Sequence, residues 1–156
     1  MLDRTMNRYA SYAHTALRVV VGVIFLAHGA QKLFGAFGGA GIEGAAQFFG
    51  QVGIAPGVLW AWVAGLVEFF GGLALLLGAW TRYAALLLAI QMLVAIFAVH
   101  LRHGFFLPQG FEYALALLGA SVALLLGGAG ELALDPYISR LWRRASKGGE
   151  PHRATA

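Results

Sequence analysis

The sequence predicts an all-α integral membrane protein, a bundle of four transmembrane helices with both chain ends in the cytoplasm. Of its 156 residues, 60% are hydrophobic and only 12% are charged. Four apolar stretches are long enough to cross a bilayer, and basic residues cluster on one side of them. A soluble domain carries about 25% charged residues, and a chain this short cannot bury so much apolar surface in one core. The composition excludes an ordinary soluble domain and a disordered chain.

The lack of cysteine narrows the chemistry further. The sequence contains none, whereas disulfide-stapled modules, thiol redox enzymes, cysteine-ligated iron–sulfur proteins and c-type haem proteins all depend on that residue. These classes are excluded. The chain also carries no flavin motif, so we expect any electron donor to lie on a substrate or on another protein.

The four predicted spans are helical because each mixes apolar residues without the strict alternation of a transmembrane β-strand. Trp60 and Trp80 bracket the second span and lie twenty residues apart, which corresponds to about 30 Å of helix, or one hydrocarbon thickness. Tryptophan prefers both membrane interfaces. We place the membrane domain at 16–136, after an N-terminal segment 1–15 and before a basic tail 137–156, with spans at about 16–34, 58–79, 83–99 and 111–126.

The distribution of basic residues predicts the orientation. Two basic residues, Lys32 and Arg102, lie on one side of the spans, whereas nine lie on the other side. The positive-inside rule places the richer side, with both termini, in the cytoplasm. The net charge of +4 is thus a topology signal, and without a nucleic-acid-binding motif we expect no nucleic-acid partner. The nine are Arg4, Arg8, Arg18, Arg82, Arg140, Arg143, Arg144, Lys147 and Arg153.

Polar residues inside the spans are functional candidates because ionisable groups are costly in lipid. His28, Gln31 and Lys32 occur at i, i+3 and i+4 of the first span and share one helix face. Glu68 lies near the middle of the second span, with no helix end within reach. If the spans pack as an antiparallel bundle, these groups meet in an outward-opening cavity.

Three more polar residues belong to the last two spans. His100 ends the third span and Glu112 opens the fourth on the same outer side, where they would join the cavity. Gln91 is the internal polar residue of the third span, and its isolation indicates a helix–helix hydrogen bond.

Each ionisable candidate also has a purely structural interpretation. Glu68 would pair with Lys32 or His28 to hold two helices together, or Lys32 would extend its ammonium group to the interface. His100 would be an interfacial residue, and Glu112 would favour the dipole of its helix from the first turn. The residues alone leave these alternatives open.

The catalytic interpretation assigns His28, Lys32 and Glu68 to proton handling beside a quinone. A quinone requires hydrogen-bond donors to its carbonyl oxygens and a route for protons. A neutral histidine both donates and accepts, and a buried glutamate can act as acid or base. No metal site is predicted. The residues expected to bind the quinone are Gln31, Trp62, Phe69, His100 and Glu112.

Three segments resemble DoxX-like membrane proteins, namely LRVVVGVIFLAHGAQKLFG (17–35), EFFGGLALLLGAWTRYAALLL (68–88) and GGAGELALD (127–135). The resemblance covers about residues 15–136. It implies a four-helix bacterial inner-membrane protein, similar to the large, quinone-reactive subunit of thiosulfate:quinone oxidoreductase. No second domain for thiosulfate is visible in the chain, so that substrate would need a partner subunit. The matching positions are Arg18, His28, Gly29, Lys32, Glu68, Gly71, Gly72 and Arg82.

Three hypotheses remain at this stage. The first is a quinone-linked oxidoreductase subunit that binds ubiquinone or menaquinone and takes electrons from a soluble or membrane partner subunit. The second is a non-catalytic anchor, assembly factor or chaperone, in which the glycines of span two pack within one chain or between copies in a homo-oligomer. The third is a haem-b carrier ligated by His28 and His100, which their different depths disfavour.

Overall fold

The computed structural model describes residue 6 and residues 9–147, and within them the chain forms helices and no strand. Arg4, Arg8 and the last nine residues of the basic tail lie outside the described part. The helices, numbered in chain order, are α1 (Ala10–Phe34), α2 (Gly41–Gln51), α3 (Gly57–Leu77), α4 (Thr81–Ala95), α5 (Glu112–Gly127) and α6 (Asp135–Lys147).

Three helical segments are long and apolar enough to cross a membrane: Tyr12–Phe34, Gly57–Leu77 and Thr81–His103. The last of these continues α4 through a wider turn at Ile96–His100 and a short 3-10 turn. Helix α5 is also apolar, but its 16 residues extend only about 24 Å. The expected all-helical membrane class is therefore confirmed, and each predicted span coincides with a helix.

The long helices form two closely packed pairs, α1 with α3 and α4 with α5, and α3 joins the pairs through α4. Glycines bring α1 and α3 into backbone contact. A Cβ atom at Gly29 would overlap the backbone nitrogen of Phe69, and one at Gly72 would overlap that of Leu26. Gly72 of α3 therefore packs against α1 within one chain. The buried core between the helices includes Val21, Phe25, Leu75, Leu88, Met92, Leu117 and Leu124.

Arg18 fastens one end of the bundle. Its side chain is 2% exposed, and its guanidinium group donates to backbone carbonyls of two separate elements. Its hydrogen bonds go to main-chain oxygens in the last turn of α3 and in the segment 129–132. The acceptors are Leu75 (2.8 Å) and Leu76 (2.7 Å) in α3, then Ala129 (2.9 Å), Glu131 (3.3 Å) and Leu132 (2.6 Å).

The segment 127–135 completes this end. The carboxylate of Asp135 accepts from the backbone N–H groups of Trp80 (2.5 Å) and Thr81 (3.1 Å), and so caps α4. The Asp135 N–H donates to the carbonyl of Gly78 at 2.8 Å. Arg82 donates to the carbonyl of Leu125, in the last turn of α5, at 2.7 Å. This end of the bundle is therefore tied together across α1, α3, α4 and α5.

At the opposite end, α2 packs against α3 and the end of α1. It contains the apolar stretch Ala45–Phe49. Gly57, at the start of α3, lies so close to α2 that a Cβ atom would overlap the carbonyl oxygen of Ala46. This contact places α2 beside the last turns of α1, where the polar residues of the first span lie.

Candidate functional site

A polar network joins three helices inside the apolar bundle. The Lys32 ammonium group of α1 donates to Oε2 of Glu68 in α3 at 2.5 Å, forming an ion pair. The Gln91 amide of α4 donates to Oε1 of the same carboxylate at 2.7 Å. Both carboxylate oxygens therefore have a donor, and each donor comes from a different neighbouring helix. We call Lys32, Glu68 and Gln91 the polar triad.

Local packing explains why Lys32 reaches Glu68. Gly65 lies one turn before Glu68, and a Cβ atom there would come within 2.7 Å of Cδ2 of Leu33. The missing side chain lets the end of α1 approach α3. On the other side, the Gln91 amide lies 3.5 Å from the carbonyl oxygen of Ala64. Gln91 was expected to make a helix–helix hydrogen bond, and this is confirmed.

The triad is electrostatically asymmetric. Glu68 is only 4% exposed, whereas the Lys32 side chain keeps 27% of its surface exposed. A buried carboxylate without a partner is strongly unfavourable. The ammonium group of Lys32 and the amide of Gln91 offset that cost. Glu68 is thus the buried member of the triad, and Lys32 is the member that is accessible from outside the bundle.

A pocket of about 250 Å³ lies on the open side of Lys32, between the end of α1, the glycine-rich connection and α2. Gln31 also lines it, and within the described chain its amide has no hydrogen-bond partner. Phe48 and Phe49 supply aromatic walls. The remaining lining residues are Gly39, Ala40, Gly41, Gly44 and Ala45. We call this the Lys32 pocket.

His28 is not drawn into the triad. It lies one turn before Lys32 on α1, its side chain is exposed, and in the described part of the chain it forms no hydrogen bond or ion pair. The sequence predicted that His28 would converge with Lys32 and Glu68. The structure instead brings Glu68 together with Gln91, because Gly29 next to His28 carries the contact with α3.

His100 and Glu112 organise the loop between α4 and α5. Nδ1 of His100 is hydrogen-bonded to the carbonyl of Gln109 at 2.8 Å. Oε1 of Glu112 accepts from the backbone N–H of Leu107 at 2.7 Å. No hydrogen bond joins either side chain to the polar triad in the described structure. Among the described residues, no group of three or more His, Cys, Asp or Glu side chains is placed to hold a metal ion.

The expected aromatic residues lie apart from the Lys32 pocket. Phe69 packs edge-on against Phe34 and Phe70, with ring centroids 5.4 Å apart in both pairs. Trp62 is exposed on the surface of α3. The rings that do line the pocket, Phe48 and Phe49, were missed as site residues. The only signal in the sequence is the apolar stretch 45–49 that contains them, and it does not indicate that this segment packs over Lys32.

Comparison with known proteins places the chain in a family. Residues 13–101 match the family model DoxX. The chain is 36% identical to the Bacillus subtilis (strain 168) protein named "Putative oxidoreductase CatD" over 133 residues, which cover 85% of this chain and 92% of that protein. It is 34% identical to an "Uncharacterized protein" of Haemophilus influenzae over 134 residues, covering 83% and 93% of the two chains.

A third relative is a mycobacterial membrane protein. The chain is 34% identical over 136 residues to "Uncharacterized membrane protein Rv3486" of Mycobacterium tuberculosis, and the match covers 80% of each chain. No solved structure gives a significant match. The matched family model extends over the polar triad and Arg18, and the relatives match over most of their length. The chain is a membrane protein that belongs to the DoxX family.

Proposed function

We propose that the protein is a quinone-linked subunit of a membrane oxidoreductase, and that it binds the quinone head group in the Lys32 pocket. One observation carries this proposal. Lys32 lines the pocket, and its ammonium group is bonded to the buried carboxylate of Glu68. A residue of the pocket is thereby connected directly to a buried carboxylate in the bundle.

The donor set of the pocket suits a quinone. The two carbonyl oxygens of a quinone accept hydrogen bonds, and Lys32 and Gln31 both present N–H donors. Phe48 and Phe49 offer apolar ring surfaces. The volume of about 250 Å³ lies below the range of about 300–1,000 Å³ typical of drug-sized ligands. This favours a single substituted ring in the pocket, with its isoprenoid tail outside in the lipid.

The triad would handle protons rather than electrons. A bound quinone supplies the redox step, in which two electrons and two protons are taken up or released. Lys32 holds a proton at Nζ next to Oε2 of Glu68, and Gln91 orients the carboxylate through Oε1. Without cysteine, the chain would receive or deliver electrons through a partner subunit or a substrate. The oxidoreductase name of the Bacillus subtilis relative supports a redox role.

We also propose that α5 crosses the membrane, which gives four spans with both termini in the cytoplasm of a bacterial inner membrane. Helix α5 packs along α4 and consists mainly of apolar residues, so it belongs in the same slab of lipid. The excess of basic residues at the Arg18 end supports this orientation. The Lys32 pocket then opens toward the outer side of the membrane.

A second function, that of a non-catalytic anchor or assembly subunit, is favoured by the closed bonding of the triad. Both oxygens of Glu68 are already occupied by donors from the same chain. An arrangement of this kind holds α1, α3 and α4 together without a ligand. In this alternative, the Lys32 pocket stays without a quinone and the Lys32–Glu68 pair is purely structural.

Quinone retention by the purified full-length protein tests the proposal. Solvent extraction and mass analysis measure the native quinone, and decylubiquinone titration measures affinity. We expect a retained quinone and a loss of affinity of about tenfold for Gln31→Leu, corresponding to one lost hydrogen bond. Glu43→Gln is the matched control, because Glu43 is exposed on α2 and does not line the pocket.

The same titration tests whether His28, predicted as a site residue, contributes to quinone binding. His28→Ala should keep the affinity of the parent protein if the head group lies in the Lys32 pocket, because His28 is exposed one turn away. A loss with His28→Ala and none with Gln31→Leu would move the site to the lipid-facing side of α1. No retained quinone and no decylubiquinone binding would leave the anchor function.

A further inference from the structure

We propose that α6 is a membrane-surface helix that binds anionic phospholipid, with one side inserted among the lipids and the other facing the headgroups. It is a surface separate from the Lys32 pocket. The helix spans Asp135–Lys147, beyond the residues matched by the family model. The proposal rests on three observations: where the helix starts, how its residues are divided between its sides, and what covers it.

The start of α6 is fixed at the end of the bundle. Asp135 caps α4 through Trp80 and Thr81 and donates to the carbonyl of Gly78. The N–H of Leu134 donates to the carbonyl of Leu77 at 3.2 Å. These contacts hold the first turn of α6 level with the turn between α3 and α4. Because α3 and α4 are apolar enough to cross a membrane, α6 begins where the lipid headgroups must lie.

The residues of α6 divide cleanly by side. At 100° per residue, the apolar side chains fall on one arc and the basic ones on the other. The apolar arc is large and uncovered, since Leu141 is 65% exposed and Trp142 is 72% exposed. The only acidic residue of α6 is Asp135, which is already occupied as a cap. Among the residues whose side chains are described, the apolar arc holds Tyr137, Ile138, Leu141 and Trp142, and the basic arc holds Arg140 and Arg143.

No other helix packs along α6 in the part of the chain that the structure describes. An exposed leucine and tryptophan on a highly charged helix are typical of a segment lying in the membrane interface. The excess of basic residues selects the lipid, because each lysine or arginine near an anionic leaflet strengthens binding while a zwitterionic leaflet gives no such gain. Arg140 also lies over the ring of Tyr137, 6.0 Å from its centroid, where the two arcs meet. Charge complementarity therefore favours an anionic lipid surface over a second protein.

Spin labels on single cysteines test this directly, because the natural chain contains no cysteine. Leu141→Cys places the label on the apolar arc, and Arg140→Cys is the matched position on the basic arc. Each full-length variant is reconstituted in nanodiscs of phosphatidylglycerol or of phosphatidylcholine. Collision rates with oxygen, which concentrates in lipid, and with a water-soluble nickel complex report the surroundings of each label.

In phosphatidylglycerol, we expect the label at 141 to collide mainly with oxygen and the label at 140 mainly with nickel. When Arg140→Gln and Arg143→Gln are added to Leu141→Cys, the ratio of oxygen to nickel collision rates at 141 should fall about tenfold. A change of lipid to phosphatidylcholine should lower this ratio by a similar factor. Equal nickel access at 141 and 140 would overturn the proposal. A label at 141 protected from both reagents, with spin–spin broadening between chains, would assign the surface to a second copy and would equally overturn it.

Discussion

The ammonium group of Lys32 lies 2.5 Å from Oε2 of Glu68 and ties α1 to α3 inside an otherwise apolar contact. On one side of this bond Gly29 lies against the backbone of Phe69, and on the other side Gly65 leaves room for the side chain of Leu33. An ion pair at such a point links the two helices, and in the proposed function the same pair would also handle protons. The structural and chemical roles of the pair can be separated, because the structural role depends on both partners being present together.

A double-mutant cycle on Lys32 and Glu68 measures the structural link. Lys32→Met and Glu68→Leu should each destabilise the protein, because each leaves the other charge in an apolar contact. The double variant should lose less stability than the sum of the two, with a coupling of about 1–2 kcal/mol, the range found for polar contacts between membrane helices. Unfolding by steric trapping in bicelles gives the free energies. As a control, the cycle of Lys32→Met with Glu43→Leu should give no coupling, because Glu43 is exposed on α2. Strictly additive effects of Lys32→Met and Glu68→Leu would refute the structural link.

Arg18 should not be replaceable by lysine. Its guanidinium group serves carbonyls of α3 and of the segment 129–132 at once, and an ammonium group has fewer donors and no planar fork. We expect Arg18→Lys to cost about 3 kcal/mol or more, because five hydrogen bonds to buried or part-buried carbonyls are weakened or lost together. Arg82→Lys is the matched control, since Arg82 is exposed and donates one bond to Leu125; its cost should stay below about 1 kcal/mol. Equal losses for the two would contradict the assigned role of Arg18.

The helices were predictable because apolar runs of membrane length have few alternative structures, and α1, α3, α4 and α5 coincide with the predicted spans. Lys32 was one of the two partners that the sequence allowed for Glu68, and His28 was the other. Choosing between His28 and Lys32 required the rotation of α1, which depends on the contact of Gly29 with Phe69. The hydrogen bonds of Arg18 to backbone carbonyls were not predictable, because main-chain acceptors carry no residue-specific signal.

Asp135 should contribute measurable stability as a cap on α4. Its two carboxylate oxygens accept from consecutive backbone N–H groups of Trp80 and Thr81, and loss of such a cap costs about 1 kcal/mol. Asp135→Ala should therefore lower the melting temperature in detergent, while Asp135→Asn, which keeps one acceptor, should lower it less. Equal melting temperatures for Asp135→Ala and the parent protein would show that α4 does not need this cap.

Accessibility of single cysteines determines the number of crossings. Glu43→Cys and Arg102→Cys lie at the Lys32 end, and Ser139→Cys lies at the Arg18 end. In intact cells, a membrane-impermeant maleimide should label the first two and leave Ser139→Cys unlabelled until the cells are permeabilised. Labelling of Ser139→Cys in intact cells, with Arg102→Cys also labelled, would show that α5 does not cross the membrane.

The contact between α1 and α3 should reject even one methyl group at its closest point. A Cβ atom at Gly29 or Gly72 would overlap backbone atoms of the facing helix, and backbone cannot move aside as a flexible side chain can. We expect Gly29→Ala and Gly72→Ala to cost about 1–3 kcal/mol each. Gly119→Ala in α5 is the control, because no atom lies within 4 Å of its added Cβ and alanine favours the helix. Gly119→Ala should thus leave the stability of the protein unchanged or raise it. If Gly29→Ala also separates Lys32 from Glu68, the quinone affinity of the Lys32 pocket should fall as well. Unchanged stability of Gly29→Ala would mean that α1 and α3 are not held this close.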